Sequence, residues 1–235
     1  MTIDFKAKNK LIGANLAALH QRIDAACARA GRAPQSVTLL AVGKAQPAAA
    51  LLAAAEAGQR DFAENYVQEA LAKIAALPRA GLTWHFIGPL QSNKTADVAA
   101  HFDWVHGIDR ERIARRLSEQ RPASLPALNV CVQVNISGEA SKSGIAGGEA
   151  AALCRTVTAL PRLRLRGLMA IPAPGSGRTA YRQLRELYES LTRSGLELDT
   201  LSAGMSDDFE DAIAEGSTMV RIGTALFGTR TKTTT

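Results

Sequence analysis

The chain reads as an α/β protein, a (β/α)8 TIM-type barrel preceded by one extra N-terminal helix. Three observations predict this fold. Short runs rich in β-forming residues recur eight times along the 235 residues, helical stretches separate them, and no linker is long enough to divide the chain. A parallel partner is reached only through a crossover, so strict strand–helix alternation implies parallel strands, and eight of them can close. An open doubly wound sheet competes, but it favours a glycine-rich turn after its first strand, and this chain has Lys44 there.

Taken in order, residues 6–31 place Ile12, Leu16, Leu19, Ile23 and Cys27 at spacings of three and four before Gly31, an amphipathic helix with a glycine stop. The predicted strands are "VTLLAV" (37–42), "RDFAEN" (60–65), "TWHFIG" (83–88), "WVHGI" (104–108), "NVCVQVNI" (129–136), "LRGLMAI" (165–171), "TLSAGM" (200–205) and "TMVRIG" (218–223). Between them lie helical segments. "PAAALLAAAEAG" has proline at its start and glycine at its end, "NYVQEALAKIAAL" is closed by Pro78, and "TAYRQLRELYESLTRSG" ends in glycine. "SNKTADVAAHF" is a shorter helical stretch. The predicted organisation is an N-terminal helix within 1–35, a barrel over 37–228 and a tail over 229–235.

Composition narrows the function. At 46% hydrophobic residues the chain can bury a sizeable core, yet no stretch has the roughly 18 uninterrupted apolar residues of a spanning helix. The N-terminus "MTIDFKAKNK" lacks the apolar centre of a secretory signal. Cys27, Cys131 and Cys154 are odd in number, far apart and form no CxxC, which argues against a zinc site and for a reduced, cytoplasmic protein. The net charge of +6 invites a nucleic-acid reading, but with 5% aromatic residues no stacking motif appears, so neither nucleic acid nor membrane is expected as a partner. The charge-dense "DRERIARRLSEQR" (109–121) interleaves both signs and reads as a solvated helix face.

Functional side chains of such barrels sit at the C-terminal ends of strands. Alternation puts Thr38, Leu40, Val42 and Lys44 on one face, and Met219, Arg221 and Gly223 on one face of the last strand. If both faces point inward, a lysine and an arginine converge at the mouth without an evident carboxylate. The competing reading of Lys44 is a snorkelling surface lysine. A desolvated lysine beside another cation becomes nucleophilic, the usual preparation for a Schiff base with an aldehyde. An arginine there suits hydrogen bonding to a pyridine nitrogen.

Two turns complete the pattern. Ser206 follows strand seven and is placed to cap a helix opening at "DDFEDAIAEG"; Gly223 and Thr224 follow strand eight and offer backbone N–H groups and a hydroxyl. Loops after strands seven and eight form the common phosphate site of this fold. Asn65 shares parity with Asp61 and Ala63 and reaches toward the same mouth. His85 is either an inward polar residue or a satisfied core histidine. Gln91, Asn135 and the polar loop 137–144, with Glu139 and Lys142, also lie at strand ends. "GPLQSNKT" (88–95) mimics a phosphate loop, but Asn93 replaces the second glycine and Pro89 removes an N–H donor, so triphosphate binding is not expected.

These residues resemble a known family. "AVGKAQP", "FAENYVQEA", "WHFIGPLQSNK", "VCVQVNISGEASKSGI", "RGLMAI" and "SAGMSDDFEDAIAEGSTMVRIGTALFG", in order between about residues 37 and 228, are similar to the pyridoxal phosphate homeostasis proteins. That family was formerly called proline synthetase co-transcribed proteins. The resemblance implies a barrel like the alanine racemase N-terminal domain that binds pyridoxal 5′-phosphate (PLP). It implies a Schiff base on Lys44, Arg221 at the pyridine nitrogen, Ser206, Gly223 and Thr224 at the phosphate, and Asn65 and Met205 lining the pocket. The family more often has Ser-Lys-Thr around its lysine, whereas Gly43 and Ala45 flank it here. Gly43 faces away from the mouth by parity, so the departure touches the surroundings of the amine and not the amine itself.

Racemases of the resembled fold add a second domain supplying a tyrosine, and this chain ends seven residues after Gly228. Tyr66, Tyr181 and Tyr188 lie in predicted helices, none an evident acid/base opposite Lys44. General acid–base work on both faces of a substrate needs a group on each. The leading expectation is therefore a non-catalytic PLP binder acting in PLP homeostasis and amino-acid balance. It would be a monomer or weak dimer, with PLP-requiring apo-enzymes as candidate recipients. The alternatives are a PLP enzyme of weak racemase or decarboxylase type, and a cofactor-free Schiff-base aldolase.

Overall fold

The structure is a computed structural model that describes residues 5–77, 81–139, 143–173 and 175–228. Pro78, Lys142 and the 229–235 tail, singled out above, lie outside these residues. Strand β1 (Thr38–Val42) pairs in parallel with β2 (Asp61–Glu64) on one side and with β8 (Met219–Ile222) on the other. The intervening strands are β3 (Thr83–Phe86), β4 (Trp104–Ile108), β5 (Leu128–Gln133), β6 (Leu163–Met169) and β7 (Thr200–Met205). They join in sequence order, and the barrel closes. Every predicted strand is present, most with ends shifted by one or two residues. Strand β5 stops earlier than expected: Val134 still donates to the Met169 carbonyl, but it forms an isolated bridge with Ile145.

The long helix α1 (Phe5–Arg29) buries Ile12, Leu16, Leu19, Ile23 and Cys27, the spaced positions of the sequence. It packs on α2 (Ala48–Glu56), α8 (Phe209–Ala214) and the short α9 (Thr224–Phe227), the helices flanking the β8–β1 seam. Helices α3 (Val67–Ala76), α4 (Thr95–His101), α5 (Glu111–Gln120) and α7 (Gly177–Arg193) lie where the sequence placed them. Helix α6 (Ala150–Thr158), not singled out above, completes the layer. The charged stretch 109–121 is a solvated face only in part. Arg121 is buried, and its guanidinium donates to the carbonyls of Ala99, Phe102 and Pro126, tying three segments together. Among the described residues no helix is long and apolar enough to cross a membrane.

Two apolar layers result. One lies between strands and helices. The other fills the barrel with Leu40, Ala63, Ile87, Trp104, Cys131, Met169 and Met219. The interior also holds His85, His106, Ser202 and Arg221, all buried, an unusual polar content where branched apolar residues commonly dominate. At the top, Gly88 lets β3 run against the end of β2: a Cβ there would overlap the backbone carbonyl oxygen of Asn65. Backbone cannot yield as a side-chain tip can. Gly88→Ala is therefore expected to cost about 1–3 kcal/mol, the range for overpacking, read as a lowered denaturation midpoint with an unchanged slope.

Candidate functional site

A cavity of about 290 Å³ opens at the C-terminal ends of the strands. Its lining includes all seven residues picked from the sequence: Lys44, Asn65, Met205, Ser206, Arg221, Gly223 and Thr224. Val42, Ile87 and Ile171 supply apolar wall and Asp207 an exposed carboxylate. The volume stands at the small end of the roughly 300–1,000 Å³ usual for ligand sites. Gln91 and Asn135 are not part of this lining. Among the described residues, no protein group hydrogen-bonds the side chains of Lys44, Asn65, Ser206 or Thr224.

Arg221 is the anchor. It is 4% exposed and lies in the barrel with no ion pair among the described residues. Its Nη1 donates to the Ser202 carbonyl at 2.6 Å and to Ser202 Oγ at 2.9 Å, and its Nη2 to the Ala170 carbonyl at 2.9 Å. No described acceptor faces its Nε or the second Nη2–H, leaving two of the five N–H donors unused in a guanidinium otherwise held by two carbonyls and a hydroxyl. Burial lowers its pKa to about 10, so the group stays charged at neutral pH. Lys44 is less enclosed than expected. It is half-buried rather than dry, with Nζ 5.0 Å from the centre of the Tyr66 ring, a cation–π contact. Tyr66 precedes α3 in extended conformation instead of lying in a helix, which sets its exposed ring beside the amine.

The turns differ from expectation in two respects. Asp208, not Ser206, holds the N-cap position of α8, so the serine hydroxyl is not used as a cap. Asp208 Oδ1 accepts the Met205 N–H at 2.7 Å, and Oδ2 accepts the Tyr181 hydroxyl at 2.6 Å. This ties α7 to the Met205–Asp208 turn and fixes Ser206. Gly223 and Thr224 do not form an isolated turn but open α9, whose first N–H groups have no intrahelical acceptor.

Charges that sequence reasoning missed hold the Lys44 turn from behind. Lys73 Nζ on α3 donates to the Gly43 carbonyl at 2.6 Å, to Glu64 Oε1 at 2.7 Å and to Glu69 Oε1 at 2.6 Å. Glu69 Oε1 in turn accepts the Ala45 N–H at 2.7 Å. Both neighbours of Lys44 are thus pinned by one buried ammonium. The glycine at 43 has a steric reason, since a Cβ there would overlap Glu64 Oε1 and come within 2.9 Å of Leu51 Cδ2. The signal was a carboxylate on the helix-facing side of β2, which a buried strand tolerates only with a partner.

The profile of the family described as "Alanine racemase, N-terminal domain" matches residues 14–231. The pyridoxal phosphate homeostasis protein of Pseudomonas aeruginosa is 60% identical over 223 residues, 93% of this chain and 96% of the relative. The chain belongs to the pyridoxal phosphate homeostasis protein family. Its Escherichia coli member is 57% identical over 226 residues, 93% of this chain and 97% of the relative. Among solved structures, PipY of Synechococcus elongatus with PLP bound aligns with a TM-score of 0.80 at 37% identity, covering 92% of this chain and 100% of that one. The family's barrel fold, expected from the sequence, is the fold observed.

Two predictions follow from the turn. Burial pushes the Glu64 carboxyl up from 4.5 to about 7, against the pull of Lys73, and its Oε2 has no partner among the described residues. A carboxyl whose folded pKa is raised stabilises fully below its unfolded value and loses that contribution as pH rises through the folded one. Denaturation between pH 4.5 and 7 should therefore show a falling component of up to about 3 kcal/mol that Glu64→Gln lacks. Ala45 has φ of 58°, a left-handed conformation costly for an L-residue. Ala45→Gly is expected to raise stability by about 0.5–1 kcal/mol, measured by the same denaturation.

Proposed function

We propose that this chain binds PLP reversibly in the cavity at the barrel mouth and releases it without turning over a substrate, acting in PLP homeostasis and amino-acid balance. The observation carrying this reading is Arg221: a buried guanidinium with no ion pair among the described residues, sharing one cavity with a primary amine that no described group hydrogen-bonds. The remaining residues fit the same molecule. Lys44 is the amine for an aldehyde, and the free Arg221 Nε–H is a donor for a pyridine nitrogen, which a neighbouring positive charge keeps unprotonated. Ser206, Gly223 and Thr224 would offer two hydroxyls and backbone N–H groups to a phosphate, and Asn65 and Met205 would line the pocket around the group. When bound, PLP supplies an aldehyde that takes up a primary amine with loss of water. The chain's own part is to hold that amine, fix the ring and leave the mouth open.

The open mouth supports carriage over catalysis. Besides the arginine, the described lining residues that titrate are Lys44 and the exposed Asp207, too few to place an acid and a base on opposite faces of a substrate. The relatives' name, homeostasis protein, and the PLP found in the PipY structure support the same reading. One observation favours the second reading, weak racemase- or decarboxylase-type turnover: the Tyr66 phenol stands exposed beside Lys44. We place the protein in the cytoplasm, where its three free cysteines stay reduced, as a monomer or weak dimer delivering PLP to apo-enzymes that require it.

Borohydride treatment of the PLP-loaded protein should leave a pyridoxyl group on Lys44 by peptide mass spectrometry, and Lys44→Ala should lose both the label and the visible absorbance band. A label on another lysine would refute the assignment. Arg221→Glu should shift the band more than it lowers PLP retention; equal losses would assign Arg221 to the phosphate. Loaded protein incubated with single L-amino acids should form no steady D-amino acid or carbon dioxide, and sustained product would establish the second reading.

A further inference from the structure

The imidazoles inside the barrel are not isolated core residues. Arg221 Nη1 lies 2.9 Å from Ser202 Oγ, Ser202 Oγ lies 2.8 Å from His106 Nδ1, and His106 Nε2 lies 3.0 Å from His85 Nδ1. His85 Nε2 then lies 3.1 Å from Asp61 Oδ1. Ser202, His106 and His85 are fully buried, and Asp61, the first residue of β2, is part-exposed at the opposite end of the barrel from the cavity. A hydrogen-bonded chain therefore crosses the barrel from floor to mouth.

Proton counting gives it a direction. Arg221 can only donate, so Ser202 Oγ accepts, and among the described residues the one acceptor left for the serine proton is His106 Nδ1. That places the His106 proton on Nε2, aimed at His85 Nδ1, and the His85 proton on Nε2, aimed at the Asp61 carboxylate. The reverse order would need a protonated, part-exposed Asp61 and would orphan the buried serine O–H. In the forward order both imidazoles are neutral, every donor has an acceptor, and all bonds point from cation to anion. Burial, with His85 and Arg221 nearby, holds His106 far below the usual histidine range, in keeping with a neutral ring. Trp104 stacks against His85 and lies beside His106, and Arg166, paired with Asp199, covers the Trp104 ring at 4.6 Å. The charges around the rings are thus Asp61, Arg221 and Arg166, with the Cys131 thiol driven up by burial and neutral.

We propose that Asp61, His85, His106 and Ser202 form a one-way relay that positions Arg221 and couples it to a carboxylate at the far end of the barrel. The relay adds a distant counter-charge to a guanidinium that has no ion pair among the described residues and on which Asp208 acts only through space, and it leaves the exposed Asp207 as the one carboxylate among the described lining residues of the cavity. Bonds polarised in one sense strengthen one another, so the far carboxylate reaches the arginine through them. These are positioning residues, and their effect on the cofactor rests on the PLP reading above.

The test has one arm without cofactor and one with it. In apo protein labelled with 15N-histidine, long-range 1H–15N spectra at pH 7 should show both buried rings neutral with the proton on Nε2. The isosteric Asp61→Asn should move the His106 signals as well as those of His85, and Asp61→Glu should restore them. A charged ring, an Nδ1–H tautomer, or His106 signals indifferent to Asp61→Asn would overturn the relay. With PLP, Asp61→Asn should raise the dissociation constant at least about fivefold, the lower bound of ordinary site coupling, and shift the visible band, with Asp61→Glu recovering both. Unchanged affinity and spectrum in Asp61→Asn would overturn the coupling. Wild-type protein that binds no PLP would instead refute the cofactor reading, leaving the tautomers to decide the relay.

Discussion

The pairing of the first strand with the last governs the site. Leu40 lies beside Arg221 and Ala41 beside Ile222 in parallel register, so the segments leaving both strands, Lys44 on one and Gly223–Thr224 on the other, emerge at the same rim. Residues nearly two hundred positions apart meet only because the sheet closes. Helix α1 and the segment after it support this seam, with Asn15 of the helix donating to the Leu226 carbonyl and Arg32 beyond its end to the carbonyls of Ile213 and Ser217. An open sheet would leave the amine and the guanidinium on opposite edges.

The barrel handles its charges by distance. Arg221 is solvated by two carbonyls and the Ser202 hydroxyl rather than by a carboxylate, which leaves two N–H donors unused in a residue that lines the cavity. The carboxylates that support the site stand behind it: Glu64 and Glu69 on Lys73, Asp208 under the Met205 turn, and Asp61 at the barrel floor. The buried Arg121, Lys73, His85, His106, Ser202 and Arg221 each have a hydrogen-bonded role, as the cost of burying them requires. Glu64 Oε2, Gln120 Oε1 and Arg185 Nε have no partner among the described residues, and burial is what raises the pKa of the Glu64 carboxyl.

A binding protein and a racemase can share such a barrel because the fold supplies positions, while chemistry depends on what else reaches the bound molecule. Here a fixed guanidinium, a reachable amine and unused hydroxyls favour holding a cofactor. The half-exposed lysine suits exchange with an aldehyde arriving from solvent better than a sealed one would. The tyrosine ring beside it gives that amine a resting place without a competing hydrogen-bond acceptor.

Local pattern was enough to predict the fold class that is observed and to propose most of the candidate site, Met205 coming from family likeness. Alternation of strand and helix depends on periodicities that any stretch of chain displays by itself, and strand parity told which face Lys44, Asn65 and Arg221 share. Family likeness added the cofactor. What pattern does not contain is which side chains from different strands and helices touch, because that depends on register and closure. So Lys73 as the brace behind Gly43 and Ala45, Asp208 rather than Ser206 at the helix start, Arg121 as a buried tie and His106 as partner to His85 were decided only in three dimensions. His85 showed the division most clearly: its inward parity was readable from the chain, but a histidine becomes part of a relay only when the fold sets acceptors at both of its nitrogens.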